Sequence, residues 1–229
     1  MTSMSTDTFE LLGDDGRALA GYLVSAGPAA VIVVHEVFGL NEQIKGVARR
    51  LAAEGGFTTF AVDLFGRATM DMSTGYKLAH AMVWKTAIDT IRRTRQALSE
   101  LGEGSRVGVM GFCMGGGIAL AAAAHIPEVA ACVPFYGIPT AERADVGRIR
   151  GKVMGHFAKF DKHISQDRVD SLEHKLSAAG VPADIFRYHA DHAFFNEVRK
   201  ESHSSYNSQH AWARTLAFFR RELLPGGGG

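Results

Sequence analysis

The chain has 229 residues, with 25 lysines and arginines against 24 aspartates and glutamates, and a formal net charge of +1 at pH 7. This balance gives no basis for binding nucleic acid or an anionic membrane surface, and no apolar run approaches the roughly 18 residues of a membrane span. The length fits a single α/β domain over residues 1–229, with a flexible tail at 225–229.

The cysteine content and the N-terminus bear on the cellular compartment. Cys113 and Cys132 lie on successive predicted core elements and do not form a disulfide framework, which favours a reducing compartment. Residues 1–7 are polar and lack the apolar run of a signal peptide. We therefore expect a cytoplasmic protein, a monomer or weak homodimer, whose partner is a small molecule.

Turn residues and apolar runs predict the order of the elements. The cluster Gly13–Gly16 predicts an antiparallel hairpin of Thr8–Leu12 with Ala18–Ser25. Further strands are predicted at Ala29–Val34, Thr58–Leu64, Val107–Met110, Val129–Tyr136, Lys152–Phe160 and Ala183–Tyr188. Helices are predicted from the cap Asn41 to Glu54, and at Gly75–Leu101, Gly117–Ala124, Ser165–Ala179 and Ser208–Leu224. This alternation predicts a mostly parallel, doubly wound sheet with its site at the carboxyl ends of the strands.

The segment Gly111–Gly116 joins a buried strand to an apolar helix through a turn at Cys113. A nucleophile on such a turn needs small residues on both sides, and Gly111 and Gly115 occupy those places. The amino end of the following helix favours the thiolate form. The alternative is a buried structural cysteine.

Cys113, Asp161 and His192 follow one another in the α/β-hydrolase order of nucleophile, acid and histidine. The thiol needs an imidazole to accept its proton, and the imidazole needs a carboxylate to fix its tautomer. Asp161 could instead be a turn or capping residue. His189 and Asp191 compete with His192, which is favoured by its loop position and by the small and aromatic residues after it.

Glu36 directly follows a buried strand, where a carboxylate is costly unless it is paired or hydrogen-bonded. It could form a structural ion pair with Arg67 or Lys45, or it could compete with His192 for the thiol. His35 and Glu36 point to opposite faces of a strand and do not make a metal site. The sequence predicts no metal or organic cofactor.

Several motifs together resemble the dienelactone hydrolase (carboxymethylenebutenolidase) family. They are His35–Asn41, Asp63–Arg67, Gly111–Gly116 and the loops of Asp161 and His192, and the likeness extends over about 31–212. The resemblance implies an α/β-hydrolase that cleaves a small ester or lactone through an acyl-cysteine intermediate.

The resemblance also implies roles for individual residues. The family's triad and its glutamate, which modulates thiol ionisation, match Cys113, Asp161, His192 and Glu36. Its oxyanion hole, built from backbone N–H groups, matches Val37 and Met114. The arginine that binds the substrate carboxylate matches Arg67.

One position departs from the family pattern. The dienelactone-cleaving members carry a second arginine four residues after the histidine, where this chain has Asn196. We expect Arg67 and Asn196 to contact substrate, with binding weakened by about 1.5–3 kcal/mol unless Arg199 substitutes. Dienelactone itself therefore does not follow as the substrate.

Two other functions remain open at this point. A promiscuous carboxylesterase acting on neutral apolar esters is favoured by Phe38, Met70, Met72, Trp84, Phe194 and Phe195. These side chains are more often core than pocket residues. A non-catalytic regulatory protein could keep the scaffold, but it predicts an incomplete triad, whereas every triad position is filled here.

Overall fold

The computed structural model describes residues 11–13, 16–101 and 106–224. The strands are β1 Gly21–Val24, β2 Ala30–Val34, β3 Thr58–Val62, β4 Val107–Phe112, β5 Val129–Phe135, β6 Lys152–Ala158 and β7 Ala183–Tyr188. The helices are α1 Glu42–Gly55, α2 Met72–Ala81, α3 Trp84–Leu101, α4 Met114–His125, α5 Gln166–Ala178 and α6 Ser205–Leu223, with a 3-10 turn at Val146–Arg148. Most predicted elements are present, with ends shifted by a few residues.

Within the described residues the strands form one sheet in the order β1-β3-β2-β4-β5-β6-β7. Strands β2 to β7 run parallel, and β1 lies antiparallel to β3. Leu12 also bridges Ala18 in antiparallel fashion. The predicted mostly parallel sheet with an antiparallel N-terminal part is thus confirmed. Residues 8–10 of the predicted hairpin and the tail at 225–229 lie outside the described residues.

Helices cover both faces of the sheet, which explains why its central strands are apolar throughout. On one face Ile91 of α3, Ile118 of α4 and Leu172 of α5 join a single buried cluster. On the other face Leu51 of α1 and Phe219 of α6 belong to a second cluster. Among the described residues no helix is both long enough and apolar enough to cross a membrane.

The continuous helix predicted over 75–101 is wrong, because the chain forms two helices there. Helix α2 begins earlier, capped by the Asp71 side chain, and the extended backbone of Met82 ends it. Trp84 then starts α3 and packs against the core. The break carries no glycine or proline, so the sequence pattern does not mark it. Gly75, the buried residue of α2, sets this helix directly against the loop after β2.

Candidate active site

Cys113 lies on a strained turn between β4 and α4. Its φ of 52° and ψ of −118° are rare for a residue with a side chain. A Cβ on Gly111 would lie 2.1 Å from the carbonyl oxygen of Gly115, and one on Gly115 would lie 2.4 Å from that of Val34. The predicted need for small residues around the cysteine therefore has a direct steric cause.

Backbone strain concentrates around this turn. Among the described residues, the other non-glycine positions with positive φ are Tyr136 at 38° and Ala193 at 63°. Tyr136 directly follows the neighbouring strand β5, and Ala193 directly follows His192. Strained backbone of this kind tends to cluster where function demands it.

His192 and Asp161 form a short hydrogen bond, with 2.7 Å between Nδ1 and Oδ2. The other carboxylate oxygen, Oδ1, accepts backbone N–H bonds from His163 at 2.7 Å and Ile164 at 2.9 Å. An ionised carboxylate only accepts hydrogen bonds, so Nδ1 carries the proton. The remaining ring nitrogen, Nε2, is thereby left to act on another group.

Asp161 and His192 each stabilise the charged form of the other. Burial opposes ionisation of Asp161, but the hydrogen bonds from His192 and from the backbone lower its pKa. Burial also opposes the charged imidazole, yet hydrogen bonding with Asp161 and Cys113 raises the pKa of His192 to about 10. The competing residue His189 lies elsewhere, with its Nε2 3.1 Å from Nζ of Lys159.

Glu36 is buried at the end of β2, with 3% of its surface exposed. The Tyr136 hydroxyl donates to Oε1 at 3.2 Å, and Nδ2 of Asn196 donates to Oε2 at 2.7 Å. The alternative of an ion pair with Lys45 is wrong, because Lys45 pairs with Glu42 at 3.2 Å. Two neutral donors therefore hold this carboxyl group.

The surroundings of Glu36 favour its neutral form. Burial raises the pKa of Glu36, and the hydrogen bonds from Asn196 and Tyr136 only partly oppose this. The positive charges of His192 and Arg199 also act against the rise. The sequence motifs did not indicate Tyr136, which lies 100 residues along the chain from Glu36.

The two predicted substrate-binding residues occupy different settings. Arg67 is exposed on the loop after β3 and forms no ion pair within the described part of the chain. The nearby Asp71 accepts a 2.7 Å hydrogen bond from Thr74 N–H. Asn196 is buried and bonded to Glu36.

A cavity of about 210 Å³ opens beside Asn196. Its lining residues are Phe38, Asn41, Met70, Met72, Asn196, Val198, Arg199 and Glu201. Nε of Arg199 lies 2.9 Å from Oε1 of Glu201. A larger cleft of about 900 Å³ lies between residues 138–147 and α5. Cys113 and His192 line neither space, but the smaller cavity borders the site through Asn196, the hydrogen-bond partner of Glu36. The candidate active site is therefore identified by its reactive side chains and not by the size of the adjacent cavity.

Two backbone N–H groups flank the cysteine turn. Met114 is the first residue of α4, where N–H groups have no partner within the helix. Val37 follows Glu36 on the adjacent loop. Among the hydrogen bonds of the described residues, none engages the N–H of Val37 or Met114. Both groups are free to donate to another molecule.

The fold and this constellation define an α/β-hydrolase, and known proteins identify the family. The model of the "Dienelactone hydrolase family" matches residues 19–223. The chain is 30% identical over 227 residues to "Protein usf" of Aquifex pyrophilus, covering 91% of this chain and 96% of that protein. It is 32% identical over 224 residues to "Putative carboxymethylenebutenolidase" of Aquifex aeolicus, with the same two coverages. The crystal structure of "Putative Dienelactone Hydrolase" from Klebsiella pneumoniae has a TM-score of 0.84 and 27% identity, covering 95% of this chain and 99% of that one.

The chain therefore belongs to the dienelactone hydrolase family and is a carboxylic-ester hydrolase. The resemblance drawn from its motifs is confirmed.

Proposed function

We propose that Cys113, His192 and Asp161 form a catalytic triad that cleaves a small ester or lactone through an acyl-cysteine intermediate. The turn at Cys113 carries this proposal, because it presents the thiol at a helix amino end beside the imidazole that Asp161 orients. A thiolate is the nucleophilic form of cysteine, and a neighbouring imidazolium stabilises it.

In the acylation step the thiolate sulfur of Cys113 attacks the carbonyl carbon, and the carbonyl π electrons move to its oxygen. The N–H groups of Val37 and Met114 stabilise this oxyanion, and each such donor typically contributes about 3–4 kcal/mol. When the tetrahedral intermediate collapses, the bond to the alkoxide breaks and the His192 imidazolium supplies its proton. The products are an alcohol and a thioester on Cys113.

Deacylation uses the same groups in the reverse proton direction. The neutral His192 takes a proton from water as the water oxygen attacks the thioester carbonyl. The second tetrahedral intermediate releases the carboxylic acid and returns the thiolate beside the imidazolium. Asp161 remains ionised throughout and stabilises the charged ring.

We further propose that the preferred substrate carries a carboxylate. Two arginines support this choice: Arg67, exposed on the loop after β3, and Arg199, which lines the cavity beside Asn196. Asn196 can contact the substrate from the same cavity. Phe38, Met70 and Met72 line that cavity too, which instead favours neutral apolar esters.

Removing the nucleophile tests the reaction type. Cys113→Ala should lower the turnover of a 4-nitrophenyl ester by at least about a thousandfold, because the proposed acyl intermediate forms on the sulfur that this variant lacks. Cys132→Ala is the matched control, since Cys132 is a buried free cysteine on β5, and it should retain turnover. A Cys113→Ala protein that keeps more than about a tenth of wild-type turnover rules the mechanism out.

A pair of esters with the same leaving group tests the substrate class. We compare 4-nitrophenyl hydrogen succinate, which is anionic, with the neutral 4-nitrophenyl butyrate. Arg199→Ala and Arg67→Ala should each lower kcat/KM for the anionic ester by about tenfold or more, and leave the neutral ester within about twofold. Equal losses on both esters indicate structural arginines, and a wild-type preference for the neutral ester indicates the carboxylesterase alternative.

A further inference from the structure

His35 directly follows β2, is completely buried and takes no part in the reaction proposed above. Its ring bonds to the peptide unit that joins Glu36 to Val37. We propose that His35 is a positioning residue that fixes this peptide unit, so that the Val37 N–H is preset to stabilise the oxyanion. This inference rests on the proposed function, which gives that N–H its role.

The hydrogen bonds of His35 define which ring nitrogen carries the proton. Nδ1 lies 2.6 Å from the carbonyl oxygen of Glu36, and the backbone nitrogen of Leu64 lies 3.1 Å from Nε2. A carbonyl oxygen only accepts and a backbone N–H only donates, so Nδ1 carries the proton and Nε2 accepts. Burial lowers the pKa of His35, which favours the neutral ring that this arrangement requires. The ring also packs edge-on against Phe65, with 4.7 Å between the ring centroids.

The carbonyl of Glu36 and the N–H of Val37 belong to the same peptide unit. Among the described residues no peptide bond is cis, so these two groups point in opposite directions from one plane. A donor held at the carbonyl oxygen therefore fixes the direction of the N–H. It also polarises the peptide unit, which makes the N–H a stronger donor. The backbone N–H of Gly39 donates a second, longer bond to the same oxygen at 3.2 Å.

Close backbone contacts place this loop between α2 and the cysteine turn. Gly75 of α2 approaches the loop so closely that a Cβ on it would lie 2.7 Å from the carbonyl oxygen of Val37. A Cβ on Gly115, two residues after Cys113, would lie 2.5 Å from the carbonyl oxygen of His35. The peptide unit that His35 holds is therefore next to the turn that carries the thiol.

A purely structural role for His35 would depend on its other hydrogen bond, which ties the end of β2 to the chain after β3 through Leu64. Two amide substitutions separate the two bonds. The amide nitrogen of asparagine takes the place of Nδ1, so His35→Asn retains the donor to Glu36 and loses the bond from Leu64. The amide oxygen of glutamine reaches the place of Nε2, so His35→Gln retains the bond from Leu64 and loses the donor.

Steady-state kinetics with 4-nitrophenyl butyrate compares these variants. His35→Gln should lower kcat by about 10–100-fold and leave KM within about threefold, because the oxyanion forms only after the substrate is bound. His35→Asn should keep kcat within about fivefold of wild type. Each variant loses one buried hydrogen bond, so urea unfolding should show similar losses of stability in both. Equal losses of kcat in the two variants, or a larger loss in His35→Asn, overturn the inference.

Binding of 1,1,1-trifluoropentan-2-one tests the oxyanion site without turnover. The thiolate sulfur of Cys113 bonds to the ketone carbon, and the carbonyl π electrons move to the oxygen, which becomes the oxyanion of a hemithioketal. Its dissociation constant, measured by fluorine NMR, should rise about 10–100-fold in His35→Gln and stay within about fivefold of wild type in His35→Asn. An unchanged constant in His35→Gln, or no binding to the wild-type enzyme, overturns the inference.

Alkylation of Cys113 by iodoacetamide is the control, because this reaction forms no oxyanion. Its rate should stay within about twofold of wild type in both variants. A rate that falls in His35→Gln together with kcat overturns the inference, since the thiol itself would then be disturbed.

The wild-type enzyme offers a check that needs no variant. Nitrogen NMR of the imidazole should show the proton of His35 on Nδ1, and a proton on Nε2 overturns the inference. An enzyme that binds the ketone as expected but hydrolyses no ester supports the inference and refutes the proposed function. Undiminished turnover in His35→Gln, in an enzyme that Cys113→Ala inactivates, overturns the inference and leaves the proposed function intact.

Discussion

Two carboxyl groups on different loops interact electrostatically with the same imidazole, that of His192, and their surroundings differ. Asp161, after β6, accepts bonds from His192 and from two backbone N–H groups, and its pKa is lowered despite burial. Glu36, after β2, is held by the neutral donors Asn196 and Tyr136, and burial raises its pKa. Donor type and burial therefore divide the roles of the two groups.

Asp161 therefore carries the lasting negative charge of the site. Burial favours the neutral form of Glu36, and two hydrogen bonds fix its carboxyl group in place. The same pattern occurs wherever one fold uses two carboxyl groups for different purposes. Matching variants of Asp161 and Glu36 should therefore differ in turnover, in pH dependence and in stability.

The largest expected difference lies in turnover. Asp161→Asn should lower kcat by about 10³–10⁴-fold, because an amide neither fixes the imidazole tautomer nor stabilises its charge. Glu36→Gln should keep kcat for a neutral ester within about tenfold, since the mechanism requires no charge there. Steady-state kinetics with 4-nitrophenyl butyrate measures both. Losses of equal size would erase the distinction between the two groups.

The second difference lies in the alkaline limb of the pH–rate profile. Loss of the imidazolium proton ends the thiolate–imidazolium pair, so kcat/KM of the wild-type enzyme should fall above about pH 10. Asp161→Asn removes a bond that raises the pKa of His192, so this limb should move to lower pH. Glu36→Gln should leave it nearly in place. An unmoved limb in Asp161→Asn would assign the alkaline ionisation to another group.

The smallest difference concerns the free energy of unfolding. The contribution of Asp161 falls as the pH is lowered, whereas that of Glu36 falls as the pH is raised. The pKa of Asp161 lies below its ordinary value of 3.8, so its contribution is present above pH 3.8 and is lost as the pH falls further. The raised pKa of His192 adds stability below pH 6.5 that is lost as the pH rises through about 10. Relative to the wild-type enzyme, Asp161→Asn should therefore lose the most free energy of unfolding between pH 3.8 and pH 6.5, where both contributions are present.

Glu36 should behave in the reverse way. Its pKa is raised above the ordinary value of 4.5, so the folded state binds its proton more tightly than the unfolded state. Stability from this group is greatest below pH 4.5 and declines as the pH rises through the raised pKa. Glu36→Gln should therefore gain stability relative to wild type as the pH rises from 4.5, measured by urea unfolding. A gap that does not change with pH would show that burial leaves this carboxyl group unperturbed.

The parts of the site that the sequence could predict are those fixed by local backbone. The spacing of Gly111, Cys113 and Gly115 predicts a tight turn with no room for side chains on either side of the cysteine, and that turn is present. The loop positions of Asp161 and His192 follow from the ends of parallel strands, and the two side chains meet.

The partners of Glu36 could not be predicted in the same way. Asn196 lies 160 residues and Tyr136 100 residues along the chain from it, and only the folded sheet brings them together. The break between α2 and α3 at Met82 likewise carries no glycine or proline, and Trp84 packs against the core just after it. Contacts made only in the folded state leave no local pattern in a single sequence.

The central claim is that the acyl group passes through the sulfur of Cys113. Wild-type enzyme is mixed with 4-nitrophenyl acetate, quenched in acid during turnover, digested and analysed by mass spectrometry. We predict one acetyl group on the peptide that carries Cys113, formed as fast as 4-nitrophenolate is released and absent from Cys113→Ala. Turnover with no adduct at Cys113, or with the acetyl group on another side chain, would contradict the account.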